Sequence, residues 1–280
     1  MQKPLTVLVT GASSGIGASV ARIFLDRGFH VVGTSRNPAA VSDPIGGVEY
    51  LPLDQTDPAS IAALAEAVGD VDILINNAGE SQIGALEEVS MDEIERLFAT
   101  NVFGPVALTK ALLPGMRRRG RGTIVMVGSM AASFPTPYRS VYSAAKSALR
   151  TFADSLRGEV AQFGVAVTTV EPGVIATGIE TRRARISDDA SPYRDGFTSV
   201  DGAMADRERN GLPTGKLAEL VVQAALADDP KPLYARGTNA PVVFTLARLV
   251  PRRVLLDIVA RTHGIGRAQP SRSRSTRSDR

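Results

Sequence analysis

The sequence predicts an α/β fold: one doubly wound domain with about seven parallel strands and helices on both faces. Three observations carry this. Short apolar segments recur at Leu5–Thr10, His30–Thr34, Val48–Leu53, Val71–Ile75, Gly122–Gly128 and Val165–Val170, with a short final one at Leu233–Arg236. Stretches with helical spacing of apolar residues alternate with them, as buried strands joined by crossover helices require. The first apolar segment runs straight into Gly11-Ala-Ser-Ser-Gly15-Ile-Gly17, a glycine-rich turn that opens a helix.

Length and composition set bounds. A chain of 280 residues is ample for one sizeable core. With no cysteine, disulfides, thiolate catalysis and cysteine-bound metals are excluded. Only two histidines occur, His30 and His263, without ligand-like spacing, so no metal site and no histidine triad is expected. The net charge of +3 comes from the end of the chain: residues 267–280 hold five arginines and one aspartate, leaving the remainder at −1. The basicity therefore does not imply a nucleic-acid partner. Met1-Gln-Lys-Pro leads directly into the first strand without a signal segment, and no stretch is read as a membrane span. A cytoplasmic location is expected. No internal repeat or second domain emerges: residues 1–263 read as one dinucleotide-binding domain with a candidate substrate loop at about 180–215, and 264–280 as a basic disordered tail.

Strand, glycine-rich turn, helix to Arg27, then a second strand form the opening unit of a dinucleotide-binding (Rossmann) fold. Gly11 permits the tight turn, Gly15 lets the backbone approach a pyrophosphate, and Gly17 lets the helix pack on the sheet. Free N–H groups at the helix start attract the phosphates. The second strand ends at Thr34-Ser-Arg36-Asn37, with no acid to bind a ribose 2′-hydroxyl. Arg36 can pair with a 2′-phosphate, which favours NADP(H) over NAD(H). A solvated surface arginine is the plainer reading, and no second basic residue sits in the glycine turn, so NAD(H) stays open as an alternative.

Farther on, Ile61 to Val68 is helical, and Ser90 to Leu112 reads as a long helix with a Ser90/Glu93 capping box. Asn101 lies inside it, a poor interior helix former unless something local uses it. Ser129 follows the Gly122–Gly128 strand at its C-terminal end, where open α/β sheets build their sites, and its hydroxyl can hydrogen-bond a carbonyl; a turn serine is the alternative. Pro135, Pro137 and Arg139 suggest a shaped loop. A helix from Ser140 through Gln162 carries Tyr142 and Lys146, four apart and therefore on one face. A free phenol has a pKa of about 10; a fixed positive charge beside it lowers that toward a useful range.

The chain is similar to the short-chain dehydrogenase/reductase superfamily, in its compact single-domain branch. The resemblance rests on Thr10-Gly-Ala-Ser-Ser-Gly-Ile-Gly17, Asn76-Asn-Ala-Gly79, the interval of thirteen from Ser129 to Tyr142, Tyr142-x-x-x-Lys146 and Pro172-Gly-Val-Ile-Ala-Thr177, and spans about residues 5–180. It implies Asn101, Ser129, Tyr142 and Lys146 as catalytic residues, with Asn101 holding a water that links the lysine to solvent. It implies cofactor contacts from Gly11, Ser13, Ser14, Gly15, Ile16 and Gly17, and from Asn77, Ala78 and Gly79. Asp54 would face the adenine, although a helix N-terminal acid is equally reasonable there. Tyr142, Lys146, Pro172, Gly173, Val174 and Thr177 would contact the nicotinamide half, Thr177 through the amide.

The activity implied is NADP(H)-dependent interconversion of a carbonyl and a secondary alcohol. Thr34-Ser-Arg-Asn-Pro38 and Gly84-Ala-Leu-Glu-Glu88 resemble hydroxysteroid and retinol dehydrogenases, pointing to a small-molecule substrate with a bulky hydrophobic frame. The resemblance implies a homodimer or homotetramer built on the helices around Asn101 and Tyr142, as relatives commonly are. A nucleotide sensor without chemistry is the alternative class; such proteins typically lack the tyrosine or lysine. From Glu180 to Gly215 the pattern dissolves, as in a lid or a surface insertion. Residues Pro241 to Arg261, broken by Pro251, suit an amphipathic helix that packs on the domain or a partner, with a membrane surface as the alternative.

Overall fold

Near-continuous apolar runs give the central strands two buried faces, and the computed structural model shows how both are used. It describes residues 4–176, 178–237 and 240–266. In chain order the elements begin with β1 (Thr6–Val9), α1 (Gly15–Asp26), β2 (His30–Ser35), β3 (Glu49–Pro52), α2 (Pro58–Val68), β4 (Ile73–Asn76) and β5 (Gln82–Gly84). Next come α3 (Met91–Phe98), a π-helical turn (Ala99–Phe103), α4 (Gly104–Arg119), β6 (Gly122–Val127), α5 (Ser140–Val160) and β7 (Val165–Pro172). The chain continues through β8 (Ile175–Ala176), α6 (Ile179–Arg182), β9 (Ala184–Ile186), α7 (Arg194–Arg209), β10 (Leu212–Pro213), α8 (Thr214–Ala225), β11 (Leu233–Arg236), α9 (Ala240–Leu249) and α10 (Arg252–Thr262).

Seven strands form one sheet in the order β11-β7-β6-β4-β1-β2-β3, every pair parallel. Side chains alternate across it. Val7, Val9, Ile73, Ile75, Val125 and Val127 meet Val20 and Phe24 of α1 and Leu217 and Val221 of α8 on one face. Leu8, Leu74, Ile124 and Met126 meet Leu64 of α2, Leu108 and Met116 of α4 and Leu149 of α5 on the other. The winding reverses between β1 and β4, so the loops leaving their C-terminal ends part and open a crevice.

Several expectations change in detail. The helix read from Ser90 to Leu112 keeps its capping box at Ser90 and Glu93, but passes through the π-helical turn and runs on to Arg119. Pro114 does not stop it, because this exposed proline forfeits one hydrogen bond on the solvent side; the stop comes at Gly120, in the left-handed conformation. Met91–Arg119 is also long and apolar enough to cross a membrane by length and composition, contrary to expectation, although 44% of its apolar window is buried inside the fold. The stretch 180–215 is not patternless: it holds β9, paired with β5, and the four-turn helix α7, whose Phe197, Val200 and Met204 are buried. In α10, Val254, Leu256 and Ile258 face outward and Val259 is buried. Packing continues past 263, as Ile265 rests against the cluster of Ile83, Phe197, Val200 and Met204. The remaining tail, 267–280, lies outside the described residues.

Replacing Pro114 by alanine restores the missing N–H at an exposed helical position. P114A is expected to raise the unfolding free energy, by up to about 3 kcal/mol in urea denaturation.

Candidate functional site

At the crevice, the ends of β1, β2 and β4 are tied together by buried hydroxyls. Thr10 Oγ1 accepts from the backbone N–H of both Asn77 and Ala78, each at 2.9 Å. Asn77 Nδ2 donates to the Thr10 carbonyl at 2.9 Å, and Thr34 Oγ1 accepts from Gly11 N at 3.2 Å. Asn76 reaches the other way, to Thr109 Oγ1 of α4 at 3.0 Å. Gly11 has a φ of 67°, and a Cβ on Gly17 would fall on the Gly11 carbonyl oxygen. Ser14 is the N-cap of α1 but makes no side-chain capping bond, and no acid occupies the first turn. The helix start thus offers N–H groups and a positive dipole end over a cradle without side chains, with Ser13, Gly15 and Ile16 at its rim. A diphosphate fits this place.

Arg36 is exposed just past the end of β2, close enough to Asp54 that its charge helps to lower that carboxyl's pKa. The larger causes are the hydrogen bonds from the Thr56 hydroxyl and backbone, at 2.7 and 2.8 Å. Asp54 therefore closes a turn, while Asp57 caps α2 by accepting from Ala59 N at 2.9 Å. Pro172 ends β7, Gly173 N donates to the Arg236 carbonyl at 2.8 Å, and Val174 O accepts from Leu212 N at 3.1 Å. Thr177 lies outside the described residues.

α5 brings Tyr142 and Lys146 onto its buried face, 8% and 5% exposed. Lys146 Nζ donates to the Val127 carbonyl at 3.2 Å and lies 5.9 Å from the centre of the Tyr142 ring. Ser129, in extended backbone after β6, approaches the phenol from the strand end. Burial raises the phenol's pKa; the charges of Lys146 and Arg139 and the polar contacts of Ser129 and Arg139 outweigh it, and the net shift is downward. Asn101 is wholly buried in the π-helical turn. Its amide is engaged at both ends by Glu80, accepting from N at 2.8 Å and donating to O at 2.9 Å. A Cβ on Gly79 would sit 2.7 Å from Asn101 Oδ1 and 3.4 Å from Lys146 Nζ, so glycine there lets the asparagine and the lysine converge.

Arg139, which the sequence marks only as part of a shaped loop, brings its guanidinium to 4.0 Å from the Tyr142 ring centre. The segment 180–215 also reaches the site. Arg183 is buried and paired with Glu208 and, at 3.6 Å, Asp201; its Nε donates to Ser81 Oγ at 3.3 Å. Arg182 Nη1 donates to Ser14 Oγ at 3.1 Å, joining this segment to the glycine turn. The spacing Phe197, Val200, Met204 was a readable signal for α7; nothing in the sequence marked the arginine contacts.

Comparison with known proteins identifies the family and the fold. The family model for short chain dehydrogenase matches residues 5–186. Over 262 residues the chain is 36% identical to the dehydrogenase/reductase SDR family member 7B of Bos taurus, covering 88% of this chain and 77% of that protein. It is 35% identical over 252 residues to the 3-ketodihydrosphingosine reductase of Bacteroides thetaiotaomicron, covering 88% and 93%. Among solved structures, a short-chain dehydrogenase from Streptomyces avermitilis has a TM-score of 0.79 at 34% identity, covering 89% of this chain and 93% of that one. The closed form of serine dehydrogenase complexed with NADP+ has a TM-score of 0.71 at 27% identity, covering 84% and 95%.

Gly17→Ala forces the glycine turn apart. It is expected to abolish dinucleotide binding in a fluorescence titration and to cost about 1–3 kcal/mol of stability in denaturation.

Proposed function

On the premise that the chain belongs to the short-chain dehydrogenase/reductase family and is an NAD(P)-dependent oxidoreductase, we propose that it interconverts a hydrophobic ketone and its secondary alcohol, with NADP(H) preferred. The observation that carries this reading is the buried phenol of Tyr142, with its pKa lowered, beside the Lys146 ammonium and Ser129. A bound nicotinamide supplies, or takes up, the hydride at the carbonyl carbon.

The chain's own residues handle the oxygen and its proton. Ser129 holds the carbonyl oxygen by a hydrogen bond, and Tyr142 gives its proton to that oxygen as negative charge develops there. Lys146 stabilises the phenolate left behind and binds the nicotinamide ribose. Asn101 keeps the Gly79–Glu80 turn against Lys146, where reprotonation from solvent begins. Glu80 takes one acceptor and one donor position of its amide, which fixes Asn101 where it would hold the water of a relay to Lys146. In the oxidising direction Tyr142 starts as phenolate and takes the alcohol proton.

The diphosphate rests on Gly11, Ser13, Ser14, Gly15, Ile16 and Gly17, and Arg36 pairs with the 2′-phosphate. Asp54 borders the adenine, and the backbone of Asn77, Ala78 and Gly79 lies along the cofactor. Pro172, Gly173, Val174 and Thr177 border the nicotinamide. Residues 180–215 form a lid over the substrate, hinged to the glycine turn through Arg182. A preference for an apolar substrate is supported by Val89, Ala131, Val141 and Ile186, which share one apolar cluster with Tyr142, and by the likeness to a reductase named for 3-ketodihydrosphingosine. Phe103 and Phe152, 60% and 48% exposed on the helices around Asn101 and Tyr142, suit contact with a second copy in a homodimer or homotetramer.

Loss of NADPH absorbance, with NADH in parallel, over steroid, retinoid, long-chain aliphatic and aromatic ketones tests the reading. Turnover that favours NADPH and falls at least about a thousandfold in Tyr142→Phe is expected, since a positioned acid contributes up to about 10⁴-fold and the oxygen's partner is lost with it. Tight NADPH binding with no turnover across the panel would favour a nucleotide sensor. Arg36→Ala is expected to weaken NADPH binding by roughly tenfold or more and leave NADH unchanged, as removal of a charged hydrogen bond predicts; equal loss for both cofactors would remove Arg36 from the 2′-phosphate site.

A further inference from the structure

Arg139 is placed where an arginine is unfavourable. It is the N-cap residue of α5 and makes no side-chain capping bond, so its charge meets the positive end of the helix, which favours anions. Arg183 lies near enough to add to that repulsion. Burial pushes the pKa of Arg139 down, as does Arg183, while Tyr142 and Glu208 act in the opposite direction. Among the described residues no carboxylate is within ion-pair distance of Arg139; the neighbouring Glu208 is taken by Arg183.

The backbone that delivers it is unfavourable too. Tyr138, the residue before it, has a φ of 63° and is the only non-glycine in the left-handed region among the described residues. Tyr138 is held there by Gly84, whose N–H donates to its carbonyl at 2.8 Å, and by the edge of the Tyr193 ring. Arg139 itself is fixed by Nη2 donating to Ser81 Oγ at 3.0 Å and by Nε against the Gln82 carbonyl at 3.5 Å. What all of this secures is a guanidinium 4.0 Å from the Tyr142 ring centre, nearer than the Lys146 ammonium at 5.9 Å.

We propose that Arg139 is a positioning residue for Tyr142: it holds the phenol from the ring face and, with Lys146, stabilises its deprotonated oxygen. Its functional meaning rests on Tyr142 being the proton-transfer group. The charged groups that face the phenol are Lys146 from its own helix and Arg139 from the preceding loop, with Arg183 and Glu208 acting behind Arg139; Ser129 adds a neutral hydroxyl. Burial alone would raise this phenol's pKa, and two cations rather than one set its downward shift. A guanidinium suits the task, since it stays charged when desolvated and stacks on an aromatic face.

The test is an ultraviolet difference titration of tyrosinate on the full chain without substrate, each protein read against its own Tyr142→Phe counterpart so that only this phenol is seen. Arg139→Gln is expected to move the midpoint upward by about one pH unit, and Arg139→Lys to stay within about half a unit of wild type. Arg139→Met repeats the comparison if Arg139→Gln does not fold. Identical midpoints in wild type and the neutral variant would overturn the proposal. So would equal shifts in the lysine and neutral variants, which would make Arg139 a tether for Ser81 and Gln82 only. Because the readout needs no turnover, an inactive wild-type protein would count against the proton-transfer role of Tyr142 and not against this pairing.

Discussion

A buried ammonium is the constraint on which the site depends. Lys146 is 5% exposed, and its Nζ donates to the Val127 carbonyl. A charge taken out of water is costly unless something gains from it, and the group beside it that gains is a phenol whose ionised form it favours. Keeping the pair in place explains much of the surrounding structure. α5 packs its Leu149 and Ala153 on the sheet, which holds Tyr142 and Lys146 over the end of β6. Gly79 is without a side chain because Asn101 and Lys146 converge on that space. The π-helical turn at Ala99–Phe103 sets Asn101 inward, where both ends of its amide fasten Glu80. Such turns are rare and concentrate at functional places.

The same economy governs the cofactor side. A parallel sheet buried on both faces requires helices on each, and the reversal between β1 and β4 leaves a crevice at their C-terminal ends. At the floor of that crevice the hydroxyls of Thr10 and Thr34 take up the backbone N–H groups of Asn77, Ala78 and Gly11, which leaves an anion the N–H groups at the start of α1. Cofactor cradle and phenol come from opposite sides of one switch point, β1 to one side and β6 with α5 to the other. In the proposed reaction that is why hydride and proton reach the same carbonyl from different groups.

Much of this was legible because the signals are local. Short apolar segments marked all seven strands of the main sheet, glycines marked the first turn, and a spacing of four put the phenol and the ammonium on one helix face. Short elements stabilised by distant partners were not legible: β5 and β9 are three residues each and exist because they pair across a hundred residues. α7 was hidden by Gly196, Gly202 and many charges, although Phe197, Val200 and Met204 carry its period. Asn101 stood out as an odd residue for a helix, but its attachment to Glu80 and the π-helical turn are tertiary facts. Arg139 was legible only as part of a shaped loop with Pro135 and Pro137; its contacts with Ser81 and Tyr142 are tertiary and no local pattern carries them.

The central claim is that one phenol, ionised more readily than a free one, carries the proton in both directions. The most direct measurement is the pH dependence of kcat/KM for ketone reduction and alcohol oxidation with the best substrate pair. Reduction needs the phenol and oxidation the phenolate, so the prediction is that reduction falls and oxidation rises with pH, each through a midpoint below the free-phenol value of about 10. The oxidation midpoint is no higher than the reduction one, because the oxidised nicotinamide adds a positive charge. A midpoint at or above the free-phenol value in either direction, or limbs that do not run in opposite senses, would contradict it.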